Sequence, residues 1–260
     1  MPPGPRAENA LDKDVTLQST SILPLSSQRG VAPPESNEAP LVARDLTRTM
    51  NGHLVLDRVE LSVRAGEVVA LRGENGAGKS TLLKCLAGRL HPTAGEVLWF
   101  GMSPHGRPES HRIVGFAAHE SFLYPELSAG ENLLFAARMF GFAQPQKRVA
   151  DMLALAGLSR RAQQPAGRLS QGLKKRLSLV RAILHDPPIV ILDEPFAALD
   201  DAGRQWLEDL LSDLRSRKRA IIFASHDRPQ FCRIAGRMLE LRGGRICEPS
   251  ETGNWLRLSA

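Results

Sequence analysis

The sequence predicts an α/β fold: a largely parallel sheet with an inserted helical subdomain. Three observations predict it. Two short, continuous apolar runs, PIVILDEP (188–195) and AIIFASHD (220–227), have the character of strands covered on both faces of a parallel sheet. Between them, WLEDLLSDLRSR places Trp206, Leu207, Leu210, Leu211 and Leu214 on one helical face, suiting a crossover connection. Near the N-terminus, LVARDLT, HLVLDRVELSV and GEVVALRG read as short strands with turn punctuation, as at the start of an open sheet.

Taken in order, residues 1–40 are rich in Pro, Ser and Ala without apolar periodicity, and too polar to offset chain entropy by burial. They are expected to form a disordered extension. The folded domain is expected over 41–247, followed by a tail at 248–260. In KSTLLKCLAGRL, Leu82, Leu83, Leu86 and Leu90 fall at helical spacing. ENLLFAARMFG and KRVADMLALAGL are also helical in pattern and define a subdomain over about 119–180. The pattern does not repeat, so the chain holds one copy.

Composition sets outer bounds. Hydrophobic residues make up 42% of 260, ordinary for a globular chain. No stretch approaches the roughly 20 apolar residues of a spanning helix, and the N-terminus lacks a secretory layout. A cytoplasmic location is therefore expected, with any membrane role exercised through a separate chain. Cys85, Cys232 and Cys247 are odd in number and scattered, which argues against disulfides and metal clusters. The chain's net charge is +6, and residues 1–40 hold three basic and five acidic side chains, so the remainder carries 31 minus 23, or +8, and the basic character belongs to the folded part. That suits a partner rich in negative charge, and a dispersed solvated surface explains it equally well.

The chemistry concentrates in four places. Gly73, Glu74, Asn75, Gly76, Ala77, Gly78, Lys79 and Ser80 satisfy G-x-x-x-x-G-K-[ST] between an apolar run and a helix. Glycines there let the backbone point its N–H groups at a phosphate chain, and the helix start adds its positive end. Lys79 is expected to reach the β and γ phosphates and Ser80 to offer its hydroxyl to Mg²⁺. ILDEP ends a buried run with Asp193, suited to the Mg²⁺ shell, and Glu194, suited to polarising an attacking water. His226 ends the neighbouring run in the same way. Finally, in LSQGLKKRLSLVRAIL, Ser170 and Gly172 precede a strong helix and form a second anion-receiving start.

At this point the chain resembles the ATP-binding cassette ATPases, and the resemblance implies a P-loop NTPase (RecA-like) core whose largely parallel sheet carries an antiparallel β edge. The resemblance covers about 41–247, with GENGAGKST, LSQGL, ILDEP, AALD and SHD in the family's order. It implies ATP and Mg²⁺ as ligands, with ATP held by residues 73–81, Thr81 included. It also implies a homo- or heterodimer of ATPase domains, with Ser170 and Gly172 of one copy closing on the neighbour's nucleotide. Lys79, Glu194 and His226 are the implied catalytic groups, Ser80 and Asp193 the Mg²⁺ ligands, and Asp200 lies at the seam between copies. Transmembrane subunits of a transporter are the implied partners, docking on residues 119 to 165, with the ATPase peripheral on the cytoplasmic face of the membrane and no nucleic acid expected.

Three positions depart from the family's pattern. His119 stands where a glutamine commonly contacts the nucleotide site and senses its state; it either takes that role or is a plain loop histidine. Met50 stands where an aromatic usually stacks on adenine, and Leu173 where glutamine is frequent in the signature. Within the family, His119 together with FLYPELSAGENLLFAARMFG and KKRLSLVRAILHDPPIVILDEPFAALD is most similar to the ATPase of cytochrome c maturation haem exporters (the CcmA type). Two alternatives stay open: another exporter ATPase, or a soluble single-cassette ATPase of the iron-sulfur cluster assembly type.

Overall fold

The computed structural model describes residues 39–105, 112–226 and 234–247. Nearly all of the expected N-terminal extension, the 248–260 tail and Cys232 lie outside the described residues. Strands β1 (Leu41–Met50) and β2 (His53–Val63) pair antiparallel across Asn51–Gly52. Both turn residues have positive φ, 49° and 78°, which is what a two-residue hairpin matched to strand twist requires and what Asn-Gly supplies. Strand β4 (Ala94–Trp99) pairs with the other edge of β1, giving a three-stranded antiparallel sheet in the order β2-β1-β4.

The second sheet has six strands in the order β5-β6-β7-β3-β8-β9. Its members are β3 (Val68–Arg72), β5 (Val114–Ala117), β6 (Ile189–Asp193), β7 (Ala220–Ala224), β8 (Arg237–Arg242) and β9 (Arg245–Cys247). All neighbours are parallel except β8 and β9. The reading of β1, β2 and β3 as one open sheet is thereby corrected. β1 and β2 carry exposed positions along one face and close on each other through the hairpin, whereas Val68, Val69, Ala70 and Leu71 of β3 are all buried and require cover on both faces.

That two-sided burial shows how the core divides. In β3, β6 and β7, Val69, Leu71, Ile189, Ile191, Ile222 and Ala224 pack toward the antiparallel sheet and helix α1 (Lys79–Leu86). Their neighbours Val68, Ala70, Val190, Leu192, Ile221 and Phe223 pack toward helix α5 (Asp201–Ser216) on the opposite face. The alternation is the period of two that a pleated strand imposes. In α5, Leu207, Leu210, Leu211 and Leu214 form the buried stripe, while Trp206 is half-buried and donates Nε1–H to the Leu155 carbonyl at 2.6 Å. α1 ends at Leu86, so Leu90 packs against the core from the following turn rather than from the helix.

Helices α2 (Ala129–Met139) and α3 (Pro145–Leu155) form a third, separate core with part of α4 (Gln171–Ile183). α2 starts with a capping box, in which the Ser128 hydroxyl accepts from Glu131 N–H and the Glu131 carboxylate accepts from Ser128 N–H. Those bonds hold the Glu131 carboxyl below its usual range. α4 is the joint between layers: Leu177 and Val180 face the helical core, and Leu179 and Ile183 face the parallel sheet. No helix among the described residues is long and apolar enough to cross a membrane.

Candidate functional site

The sheet order places the carboxyl ends of β5, β6, β7 and β3 side by side, the edge at which open α/β sheets receive ligands. Leaving that edge in turn are His119 after β5, Asp193 and Glu194 at the end of β6, His226 after β7 and the Gly73–Gly78 turn after β3. Four segments far apart in sequence thus leave one edge of the sheet for a topological reason.

The glycine turn is shaped by its surroundings. A Cβ on Gly73 would lie 2.5 Å from the Leu241 carbonyl oxygen, so only glycine lets β8 approach this closely. Gly78 caps α1 with φ 101° and contributes no side-chain hydrogen bond, which leaves the first N–H groups of the helix, those of Lys79, Ser80 and Thr81, without a protein cap. Lys79 is buried, and its Nζ donates to the carbonyls of Gly73 and Glu74 at 2.8 and 3.0 Å. The ammonium therefore sits over the same turn as the open amides. At the base of the turn, Arg72 donates through Nε and Nη2 to Glu240 at 3.2 and 2.6 Å, and Arg72 and Arg242 hold that carboxyl below its usual range.

Asp193 and Glu194 differ in their surroundings. Asp193 is 2% exposed, and its Oδ1 is buried without a hydrogen-bond partner. An orphaned buried carboxylate oxygen is costly unless a ligand satisfies it. Asp193 Oδ1 and the hydroxyl of the exposed Ser80 are both hard oxygens, the donor type suited to Mg²⁺, a cation that keeps several waters and takes few protein ligands. Among the described residues no group of three or more His, Cys, Asp and Glu side chains could hold a metal.

Glu194 is held in the left-handed region at φ 47°, a strained conformation for a non-glycine residue. Its N–H is fixed by the Ala224 carbonyl at 2.9 Å, which sets the turn beside β7. Its Oε2 lies 2.9 Å from His226 Nδ1 and also accepts from the His226 N–H at 3.4 Å. An ionised carboxylate only accepts, so the proton of that contact belongs to Nδ1. The imidazole is exposed and the carboxylate buried, giving a dyad whose histidine faces outward.

Ser170 and Gly172 stand apart from this cluster. The Ser170 hydroxyl caps α4 by accepting from Leu173 N–H at 3.4 Å, and its side chain is exposed. Gly172 approaches the Ala198 carbonyl, to which a Cβ would lie at 3.0 Å. Among the described residues, neither makes a hydrogen bond to the 73–81 segment. His119 is exposed, two residues beyond β5, and Met50 lies at the β1–β2 turn, 40% exposed.

Sequence reasoning missed Lys175. It is 6% exposed beneath Asp193, and its Nζ donates to the Asp193 carbonyl at 3.3 Å. Burial pushes its pKa down, while the Asp193 and Glu194 charges pull the other way. The one available signal was its place in the helical register: Lys175 falls between Gly172 and Ser178, on the buried side of α4.

The model of the ABC transporter family matches residues 56–197. Over 210 residues the chain is 35% identical to the Nod factor export ATP-binding protein I of Burkholderia orbicola (strain AU 1054), covering 80% of this chain and 69% of that one. It is also 35% identical over 203 residues to the spermidine/putrescine import ATP-binding protein PotA 1 of Pseudomonas aeruginosa, covering 75% of this chain and 55% of the relative. Among solved structures, a dimeric post-hydrolysis state of the ATP-binding cassette MJ0796 bound to ADP and Pi superimposes with a TM-score of 0.72 at 25% identity. That match covers 79% of this chain and 96% of the other.

Proposed function

From a chain that belongs to the ABC transporter family as an ATP-binding, ATP-hydrolysing subunit, we propose a two-copy motor. In it, ATP lies between residues 73–81 of one protomer and Ser170 and Gly172 of the other, and closure drives a separate membrane subunit. The observation that carries this reading is the split of phosphate-binding features. One set converges on the sheet edge, while a second helix start, capped by an exposed Ser170, makes no hydrogen bond to the 73–81 segment of its own chain among the described residues.

Within that reading each group has a task. The uncapped amides of Lys79, Ser80 and Thr81, with Glu74 to Gly78 of the turn, wrap the phosphates, and the Lys79 ammonium moves from carbonyl partners to phosphate oxygens. Ser80 and Asp193 Oδ1 would hold Mg²⁺, which when bound neutralises charge on the phosphate oxygens. Glu194 Oε2 is engaged by His226, so Oε1 is the acceptor that orients the attacking water and takes its proton. His226 keeps its Nδ1 proton on the carboxylate, which holds Glu194 in place and presents Nε2 to the phosphate side. Asp200, 82% exposed in its side chain, lies at the seam between copies.

For the membrane partner, the supporting feature is an exposed apolar surface on the helical subdomain. Phe122, Tyr124, Phe135 and Met139 are 64%, 49%, 47% and 69% exposed, and the Tyr124 and Phe135 rings meet edge to face with centroids 5.4 Å apart. Beside them a cavity of about 440 Å³ is lined by Lys84, Arg89, Phe116, Phe122 and Arg181. We place docking there, with His119 on the rim between this surface and the nucleotide edge, as the relay. Such docking would hold the chain peripherally on the cytoplasmic face.

The cargo we propose is haem or a related compound, as in cytochrome c biogenesis, on the resemblance carried by His119 and residues 122–141 and 174–200. A second reading, export of another compound, is favoured by the relative named for Nod factor export. Purification from detergent-solubilised membranes tests both. The motor reading expects a polytopic membrane chain to accompany the protein and to stimulate its ATPase; recovery with soluble scaffold proteins alone contradicts it. In that complex His119→Gln is expected to keep basal hydrolysis and change the stimulation, and unchanged stimulation rules out the relay. Haem stimulates the complex if the cargo assignment is right, and a complex indifferent to haem contradicts it.

A further inference from the structure

We propose that Lys175 is a positioning residue. It ties the start of α4, which in the two-copy reading meets the neighbour's ATP, to the strand end that carries this copy's own Asp193 and Glu194. The proposal rests on that reading and adds a route by which one nucleotide site acts on the other.

Two lysines are buried among the described residues. Lys79 belongs to the phosphate turn; Lys175 has no part in the chemistry described above. Burying an ammonium is unfavourable unless its charge is compensated, and Lys175 meets compensation on one side: the Asp193 carbonyl at 3.3 Å and the Asp193 and Glu194 carboxylates beyond it. The side chain thus spans from the second turn of α4 to the residue at which β6 ends.

Its neighbours complete the link. One turn earlier, Gly172 approaches the Ala198 carbonyl so closely that a Cβ would lie at 3.0 Å. One residue later, Arg176 stacks its guanidinium 5.2 Å from the Trp206 ring centroid and reaches to 4.0 Å from Asp200. Asp200 in turn caps α5 by accepting from Gly203 N–H at 2.8 Å. Gly172, Lys175 and Arg176 therefore join residues 170–176 to residues 193–200 at three points. Packed and hydrogen-bonded segments of this kind move together, and of the three contacts Lys175 alone touches the residue adjoining Glu194. A displacement of Ser170 by the neighbour's ATP is carried through Lys175 to the carboxylate that orients water.

The test compares Lys175→Met, Lys175→Arg and the parent chain for ATPase kinetics and nucleotide affinity, using ATP with Mg²⁺. ATP-driven association is followed by light scattering with Glu194→Gln added to each. Lys175→Met is expected to lower kcat about tenfold or more, since small displacements of an orienting group cost that much. KM and ATP affinity should stay within about twofold, and ATP-driven dimers should still form. Lys175→Arg, which keeps a cationic donor, should recover kcat to within about threefold of the parent. A kcat for Lys175→Met within about twofold of the parent overturns the proposal. So does a loss confined to ATP affinity, a loss of dimer formation, or failure of arginine to rescue. If Lys175→Met does not fold, Lys175→Gln takes its place under the same thresholds, and failure of both to fold makes the residue structural and also overturns the proposal. The parent chain keeps the two levels separate: absence of ATP-driven dimers with Glu194→Gln alone refutes the two-copy reading, whereas normal dimers with an unaffected Lys175→Met refute this inference only.

Discussion

Replacing Glu194 by glutamine should abolish turnover while ATP still binds, and should trap a closed dimer. The amide has nearly the same volume and keeps an acceptor for the His226 contact, so the left-handed turn at φ 47° and its Ala224 hydrogen bond are preserved. What is lost is the charge and the capacity to take a proton from water. Groups in that role contribute about 100- to 10,000-fold, so kcat should fall by at least about 100-fold. ATP affinity should change by less than about threefold, because the carboxylate lies beside the phosphates rather than gripping them. Steady-state phosphate release and size-exclusion chromatography with ATP read the two effects. Undiminished release would remove Glu194 from the mechanism.

Lys79→Ala should act in the opposite sense, on binding first. The ammonium is already held over the glycine turn by two carbonyls at 2.8 and 3.0 Å, so little rearrangement separates it from a phosphate. Charge-assisted hydrogen bonds to a phosphate contribute about 3 kcal/mol, or roughly 100-fold in affinity. Titration calorimetry with ATP checks this directly. The loss of two carbonyl contacts leaves those carbonyls to water, which reaches the turn because Glu74, Asn75 and Gly76 are exposed. The fold should therefore tolerate the change, and unchanged ATP affinity would contradict the assignment of the turn.

How far the sequence foretold the site depends on the kind of signal each residue carries. The glycine turn, Asp193, Glu194 and His226 were legible because their chemistry is local: a motif with fixed spacing, or polar residues terminating an apolar run. The parallel sheet was legible because strands buried on both faces leave continuous apolar runs. The separate antiparallel sheet was not, since β1, β2 and β3 share a composition and their division depends on which pairs close. In hindsight Met-Asn-Gly-His marked a hairpin that seals β1 to β2. β4 went unnoticed because half of its residues are exposed, which leaves little apolar pattern. Lys175 was hidden for a different reason: in Lys174–Lys175–Arg176, a run of charge reads as a solvated face. Beyond its place in the helical register, the tertiary contact with Asp193 is what distinguishes the middle lysine from its neighbours, and Trp206 owes its place to a carbonyl on α3.

If the Ser170 helix start of one copy closes on the ATP held by another, cysteines placed on the two sides must meet across the seam. Site-directed disulfide trapping in the Glu194→Gln background reads this, mixing one chain carrying Ser170→Cys with another carrying Asn75→Cys. Both positions are exposed, and they share no hydrogen bond within a chain among the described residues. With the covalent product read by mass spectrometry with and without ATP, an intermolecular disulfide between the two introduced thiols should form in the mixture only when ATP is present, and with neither variant alone. Saturating bound ATP with no such cross-link between copies would contradict the two-copy closure.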